Sequence, residues 1–347
     1  GLTTGVEVEV TDDNPTITGK TAYTLTFKGR ANETYKYQEL DAQGIPTGNE
    51  STIFTDGDGK ATITGLKKAT PYQISHKKYG SVNGKTALVD AKDIAKQFAD
   101  DGDQTATNGK TDKDEKASNN NVDVVVDADG NYKVIVKKDI DHTVEIPDTW
   151  GEVKIDLNDK TITGDKADDN NEAKPGLEFV KDVNSNEHPG TNLEIVNGTI
   201  KGGDGSAKHP DGAPGIGASG DTADAGIIIG NNANVIGGNG ANGTEGKDGG
   251  NGGAGIDGNG KITGTVTGGN GGKGGDSAVG IPGNGGNGGT GISADNKTIT
   301  INPGGTVKGG DAGNGGNATG DNTNPGGNGG NGGTGTETTQ PGKTDNN

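Results

Sequence analysis

Apolar and polar residues alternate along the first eighty positions. Val6-Glu7-Val8-Glu9-Val10 has the two-residue period of a half-buried strand, as do Tyr23, Leu25 and Phe27 and then Ala61-Thr62-Ile63. Turn-forming stretches separate them: 29–32, Asp41-Ala42-Gln43-Gly44 and Asp56-Gly57-Asp58-Gly59. Short strands broken by turns at this spacing predict a β-sandwich over 1–79. The period then changes. Leu88, Ala91, Ile94, Ala95 and Phe98 recur at helical spacing and predict one short amphipathic helix. Residues 100–121 carry no large apolar side chain, which predicts a solvated loop or linker, so 80–121 reads as helix plus linker. The helix either covers the open end of the C-terminal half or packs on the sandwich.

Short β-branched runs resume at Val122–Val126, Tyr132–Val136, Val144–Ile146 and Val153–Leu157. A repeat continues them. Thr199-Ile-Lys-Gly-Gly, Asn234-Val-Ile-Gly-Gly, Thr265-Val-Thr-Gly-Gly and Thr306-Val-Lys-Gly-Gly share one form, and Gly226-Ile227, Gly255-Ile256 and Gly291-Ile292 stand before the last three. Fixed short strands with variable inserts predict a β-solenoid over 122–335, with Ile200, Val235, Val266 and Val307 in one inward ladder. A polar tail, 336–347, completes the chain.

Two stretches resemble known families. Gly65-Leu66-Lys67-Lys68-Ala69-Thr70-Pro71-Tyr72 resembles the tyrosine corner of fibronectin type III domains, in which the Tyr hydroxyl bonds back to the preceding turn. TDGDGKATITGL, ending at Leu66, resembles Ig-like and prealbumin-like modules of bacterial surface proteins. Lys154-Ile-Asp-Leu-Asn-Asp-Lys-Thr-Ile-Thr-Gly164 resembles the rungs of right-handed parallel β-helices of the pectate-lyase-like fold. The expected class is therefore all-β: an N-terminal sandwich followed by a right-handed parallel β-solenoid.

Composition decides what the solenoid is made of. Of 347 residues 70 are glycine, crowded into 199–335, while all eleven aromatics lie at or before Phe179. Strict Gly-X-Y with abundant proline, the collagen pattern, is missing from runs such as GGNGGKGGD. Burying three or four aliphatic side chains per repeat, roughly 5–10 kcal/mol, does not offset ordering some thirty residues at ~1 kcal/mol or more each. Either the inserts stay disordered, or backbone hydrogen bonds supply the difference. Glycine at two of three positions offers that route. Polyglycine II-type helices have three residues per turn, so two faces are bare and can pack while Asn, Lys, Asp and Thr point outward. These triplets resemble the packed helices of some phage tip adhesins and antifreeze proteins.

The formal charge is −18, with one arginine, Arg30, and no cysteine or methionine. This excludes disulfides and thiolate metal sites and argues against nucleic acid or anionic membranes as partners. No apolar run is long enough for a spanning helix. The chemistry-bearing residues are sparse. Asp56 and Asp58 suggest Ca²⁺, but Lys60 stands where a further carboxylate is wanted. Asp168-Asp169 is the one adjacent Asp pair in 122–335 and lies in a polar loop. His76, His142, His188 and His209 are isolated, two of them before proline, and read as loop residues. Gly271-Gly-Lys-Gly-Gly-Asp276 matches the start of a Ca²⁺-binding nonapeptide once, where tandem copies are required. No catalytic, cofactor or metal site is expected, and the chain is not expected to be an enzyme. The parts suit an extracellular surface protein, expected from a Gram-positive bacterium. It would act as an adhesin or ligand-binding stalk for a host or cell-surface glycan or protein. The alternative is a structural subunit of a surface layer or filament that binds copies of itself; a polysaccharide-acting β-helix enzyme or an ice-binding protein ranks lower. Beginning at Gly1, and with neither a signal-peptide pattern nor an LPxTG motif, the chain is expected to be a processed or partial product.

Overall fold

The computed structural model describes residues 13–108, 115–220, 225–294 and 298–338. The strand expected at Val6–Val10 and most of the 336–347 tail lie outside them. Among the described residues the fold is all-β apart from one short helix, and none of their helices is long and apolar enough to cross a membrane. The chain divides into two compact units. One holds residues up to Asp90 and the turn Val126–Asn131; the other holds Ala91–Thr107, Lys116–Val125 and the described residues from Tyr132 on.

The first unit has two antiparallel sheets. Thr16–Lys20, Leu25–Lys28 and Lys60–Ile63 form one; Thr34–Leu40, Pro46–Phe54, Pro71–His76 and Gly80–Lys85 form the other. Leu25, Phe27, Ala61 and Ile63, taken from the alternation read in the sequence, share one core with Tyr35, Tyr72 and Ile74. Gly80–Lys85 pairs along the whole of Pro71–His76, so this unit runs past the boundary expected at 79. The turns Asp41–Ile45, Asp56–Lys60 and Asp127–Asn131 are built alike. In each the leading Asp Oδ1 accepts the N–H groups two and four residues on. The fourth residue is Gly44, Gly59 or Gly130 at φ +79, +80 and +91, a conformation that disfavours any side chain.

In the second unit the strands stack in three sheets, all pairs of neighbours parallel from Tyr132 on. The first sheet runs through Gly151–Asp156, Thr191–Val196, Gly226–Ile229, Gly260–Ile262 and Ile299–Ile301. The second runs through Thr161–Thr163, Gly198–Lys201, Ala233–Ile236, Thr265–Thr267 and Thr306–Lys308. The third runs through Val144–Pro147, Leu177–Val180, Ile216–Ala218, Ile256–Asp257, Ile292–Ala294 and Thr336–Thr338. The chain visits the sheets in that order and then repeats, which is consistent with a β-solenoid-like fold. Ile162, Ile200, Val235, Val266 and Val307 pair in register and are buried. Asn197 and Asn232, at φ +59 and +57, turn the chain from the first sheet into the second. Asn tolerates this left-handed region better than other side chains.

One grouping differs from the sequence reading. Gly255-Ile256 and Gly291-Ile292 belong to the third sheet, but Gly226-Ile227 belongs to the first; the true counterpart is Gly215-Ile216. The linker reading of 100–121 also changes. Lys116–Ser118 pairs antiparallel with Val122–Val126, and Asn119 and Asn121 are buried. Their side-chain amides donate to Ala95 O (2.9 Å) and Phe98 O (2.7 Å), taking up carbonyls at the end of the helix Ala91–Lys96. Ile94, Ala95 and Phe98 are fully buried within the second unit, and Phe98 stacks on Trp150 at 6.2 Å. The helix thus closes the aromatic-rich end of this unit.

Glu145 and Glu178 lie side by side in the third sheet. Burial, and then the neighbouring Glu145 carboxylate, push the Glu178 carboxyl above its ordinary 4.5. A raised carboxyl pKa means that the folded state holds the proton more tightly, so this pair weakens the fold as pH rises past 4.5. Glu178→Gln should therefore stabilise the protein at pH 7 by up to about 1 kcal/mol. The gain should vanish below about pH 4. Urea melts of both proteins at the two pH values measure it.

Candidate functional site

Glycine-rich connections join the second sheet to the third, and they lengthen along the chain: residues 164–176, 202–215, 237–255, 268–291 and 309–335. The last three are hairpins of two antiparallel legs. In 268–291 the N–H groups of Gly283, Gly286 and Gly289 donate to Gly275, Gly272 and Gly269 O at 2.8–2.9 Å. The same pattern ties Gly327, Gly330 and Gly333 to Gly316, Gly313 and Gly310.

Bonding between hairpins has a three-residue period, which an extended helix of three residues per turn requires. In the hairpins before the last, the first residue of a triplet donates to the next hairpin in the same layer: Gly271 N–H to Asp311 O, Gly288 N–H to Asn331 O. The second donates to the opposite layer, as Gly272 does to Gly250 O and Gly313 to Gly286 O. The third is served by a side chain. Asn239, Asn270 and Asp311 donate their N–H groups to the Oδ1 of Asp204, Asn239 and Asn270 in turn, at 2.8–3.0 Å. On the returning legs Asn251, Asn287 and Asn331 donate to Asp211, Asn251 and Asn287. In triplets such as Gly268–Asn270 and Gly271–Lys273 all three backbone donors are thereby used.

These ladders went unread in the sequence, where the third residues simply point outward. The available signal was Asn or Asp recurring at three-residue spacing in consecutive inserts, interrupted at Lys273, Ala254, Thr290 and Thr334. With Oδ1 held, Asn251, Asn270 and Asn287 have no further bond to their amide Nδ2 among the described residues, so rows of N–H donors line both faces. Three residues at 3.1 Å set ~9 Å between rows, and strand spacing sets ~4.8 Å between hairpins. Glycine is obligatory inside the stack: a Cβ on Gly272 would lie 1.9 Å from Ala241 O, and one on Gly288 2.0 Å from Gly310 O.

The turn of hairpin 268–291 differs from its polar legs. Val279 and Ile281 are 87% and 73% exposed. Asn322 and Asn324 of the next hairpin hold this turn through Nδ2 bonds to Ser277 O and Gly280 O. Two apolar side chains are thus held in solvent at the end of a bonded framework.

Elsewhere the candidate chemistry resolves into structural roles. Asp56 lies below the usual carboxylate range because its turn N–H groups, Lys60 first, bond it. Asp168 is lowered likewise by the N–H groups of Asn170 and Asn171 and then by the Asn171 side-chain amide. Asp169 pairs loosely with Lys208 at 3.7 Å. Asp276, at the end of the nonapeptide match, is lowered by the Asn317 N–H and then by Lys273. The histidines are not all loop residues. His76 ends a strand, bonds Glu33 at 3.1 Å and lies between Tyr35 and Tyr79. His188 bonds buried Asp148 at 2.9 Å, and the same oxygen accepts the Asp182 N–H. His142 sits 3.3 Å from Asp100, and the His209 N–H bonds Ser206 Oγ. No group of three or more His, Asp or Glu suited to a metal ion occurs among the described residues. In the first unit Tyr72 Oη accepts the Lys67 N–H at 2.8 Å; Tyr35 accepts that of Arg30 in the same way. No family model matches the chain. No curated protein matches it.

Proposed function

We propose that the protein is a non-enzymatic extracellular surface protein, an adhesin or ligand-binding stalk that recognises a glycan or protein on another surface. It comprises an Ig/fibronectin III-like sandwich and a right-handed parallel β-helix bearing polyglycine II-type hairpins. Three features support the architecture: the Tyr72–Lys67 bond, the three parallel strand stacks, and the triplet bonding of the inserts. The observation that carries the function is the turn of hairpin 268–291. Contiguous exposed apolar surface marks contact sites, and Val279 and Ile281 expose two apolar side chains two residues apart on a turn whose backbone Asn322 and Asn324 hold. The Asn rows beside them offer N–H donors to sugar hydroxyls or peptide carbonyls. The side chains that resemble catalytic groups are engaged in turns and strand contacts instead.

The test is a glycan array and a panel of extracellular matrix proteins, probed with the full chain and with Val279→Ser/Ile281→Ser. Binding that the double variant loses at least tenfold, with an unchanged melting temperature, supports the reading. Equal binding by both proteins removes the turn from it. Release of reducing ends or unsaturated products from any polysaccharide on the panel overturns the non-enzymatic assignment.

A further inference from the structure

The hairpin stack is directional. Within a layer, N–H groups of one hairpin always donate to carbonyls of the hairpin that comes after it in sequence. Gly285, Gly288 and Gly291 donate to Asn328, Asn331 and Thr334. The equivalent donors of the last hairpin are Gly329, Gly332 and Gly335 on the returning leg and Gly309, Ala312 and Gly315 on the outgoing one. None of these six N–H groups meets an acceptor among the described residues. The side-chain ladders stop at the same place, and the Oδ1 atoms of Asp311, Asn328 and Asn331 meet no donor among the described residues.

The glycines of this face add a second, independent observation. Inside the stack, glycine at the first triplet position is dictated by a carbonyl lying over it: Gly285 and Gly288 have Gly313 O and Gly310 O at 1.9 and 2.0 Å from an added Cβ. Gly329 and Gly332 occupy the same positions one hairpin later. An added Cβ there finds Gly313 O no nearer than 3.8 Å in one case and nothing within 4 Å in the other. Both are exposed. Nothing among the described residues requires glycine at either site, although glycine has the highest ordering cost of any residue.

We infer that the open face of hairpin 309–335 is a docking surface for a further glycine-rich triplet segment from outside these 347 residues. Such a partner offers a row of backbone carbonyls to Gly329, Gly332 and Gly335, offers third-residue N–H groups to Asn328 and Asn331, and brings its own backbone over the bare glycines. A second copy meeting this face with its own equivalent face would set donors against donors, so the surface is not self-complementary in a two-fold dimer. An exposed row of main-chain donors is otherwise an edge left open to uncontrolled pairing.

The experiment uses the full chain, ¹⁵N-labelled, and a synthetic peptide with the sequence of residues 309–335. A control peptide carries alanine at the second glycine of each triplet. The expected result is saturable amide shifts at Gly329, Gly332 and Gly335 with the first peptide and none with the control. Gly329→Val/Gly332→Val should abolish the shifts while leaving the melting temperature within about a degree. Gly285→Val/Gly288→Val should unfold the stack. Three outcomes overturn the proposal. They are an absence of shifts at about 1 mM peptide, a melting loss in the open-face variant equal to that of the inner one, and concentration-dependent dimerisation of the chain that the open-face variant abolishes.

Discussion

Valine at Gly272 and Gly286 together should collapse the glycine-rich stack. An added Cβ at each would lie 1.9 Å from a backbone oxygen, that of Ala241 and of Gly250 respectively. A backbone oxygen cannot swing aside as a side chain can, so the legs must part. Parting breaks the bonds from Gly272 to Gly250 and from Gly286 to Gly272, and loosens the neighbouring triplets. Each buried donor left unpaired costs about 1–3 kcal/mol, so the pair of changes should cost more than about 4 kcal/mol. Urea denaturation followed by circular dichroism and by hydrogen exchange at residues 237–335 measures it. Unchanged protection there would show that these segments are held by something other than close backbone contact. Asn270→Ala is the milder comparison: it removes only the acceptor of the Asp311 N–H, worth about 1–2 kcal/mol.

Asn119→Ala should have the second largest effect. Asn119 Oδ1 accepts the N–H groups of Asn121 and Val122 at 3.0 and 2.9 Å, while its Nδ2 donates to Ala95 O at 2.9 Å and to Thr105 Oγ1 at 3.2 Å. The residue is buried, so water does not replace these partners. At about 1–1.5 kcal/mol for each of three buried bonds, the loss should be roughly 3–4 kcal/mol. It should fall first on the helix Ala91–Lys96. Amides of residues 91–98 should then exchange faster, and Trp150, the single tryptophan, should change its fluorescence as Phe98 leaves it. A variant with wild-type exchange in this helix would mean that its apolar face alone holds it.

Much of the fold was legible because its signals are local. Alternation at Leu25–Phe27 and Ala61–Ile63 needs only neighbouring residues to be read, and both fall in strands, although Tyr23 lies before the first of them. The ladder from Ile200 to Val307 was legible because each rung spells its inward position with the same short phrase. The cap was not, since Asn119 and Asn121 acquire their meaning from helix carbonyls more than twenty positions back. As isolated residues they look like any polar linker. Gly226-Ile227 reads with the wrong sheet because two different corners of a rung use the same dipeptide. His76 and His188 escaped for the reason Asn119 did: Glu33 and Asp148, their partners, are some forty residues distant. The resemblances to fibronectin III and pectate-lyase-like families remain part of the proposal, whereas the all-β class and the parallel stacks are structural fact.

The bond pattern of the hairpin legs also restricts how such a sequence can change in length. Inserting one or two residues into a leg would move every later side chain by a third of a turn and drive it into a neighbouring backbone. Only whole triplets preserve the phase, and an added triplet on one leg needs its match on the other. The turns at 277–282 and 318–325 are free of this rule, because they join legs without lying between them. The longer connections in this chain therefore provide fixed posts with interchangeable ends. Variation among natural relatives, or diversity introduced by an engineer, should concentrate in those few residues while the triplets beneath keep their count.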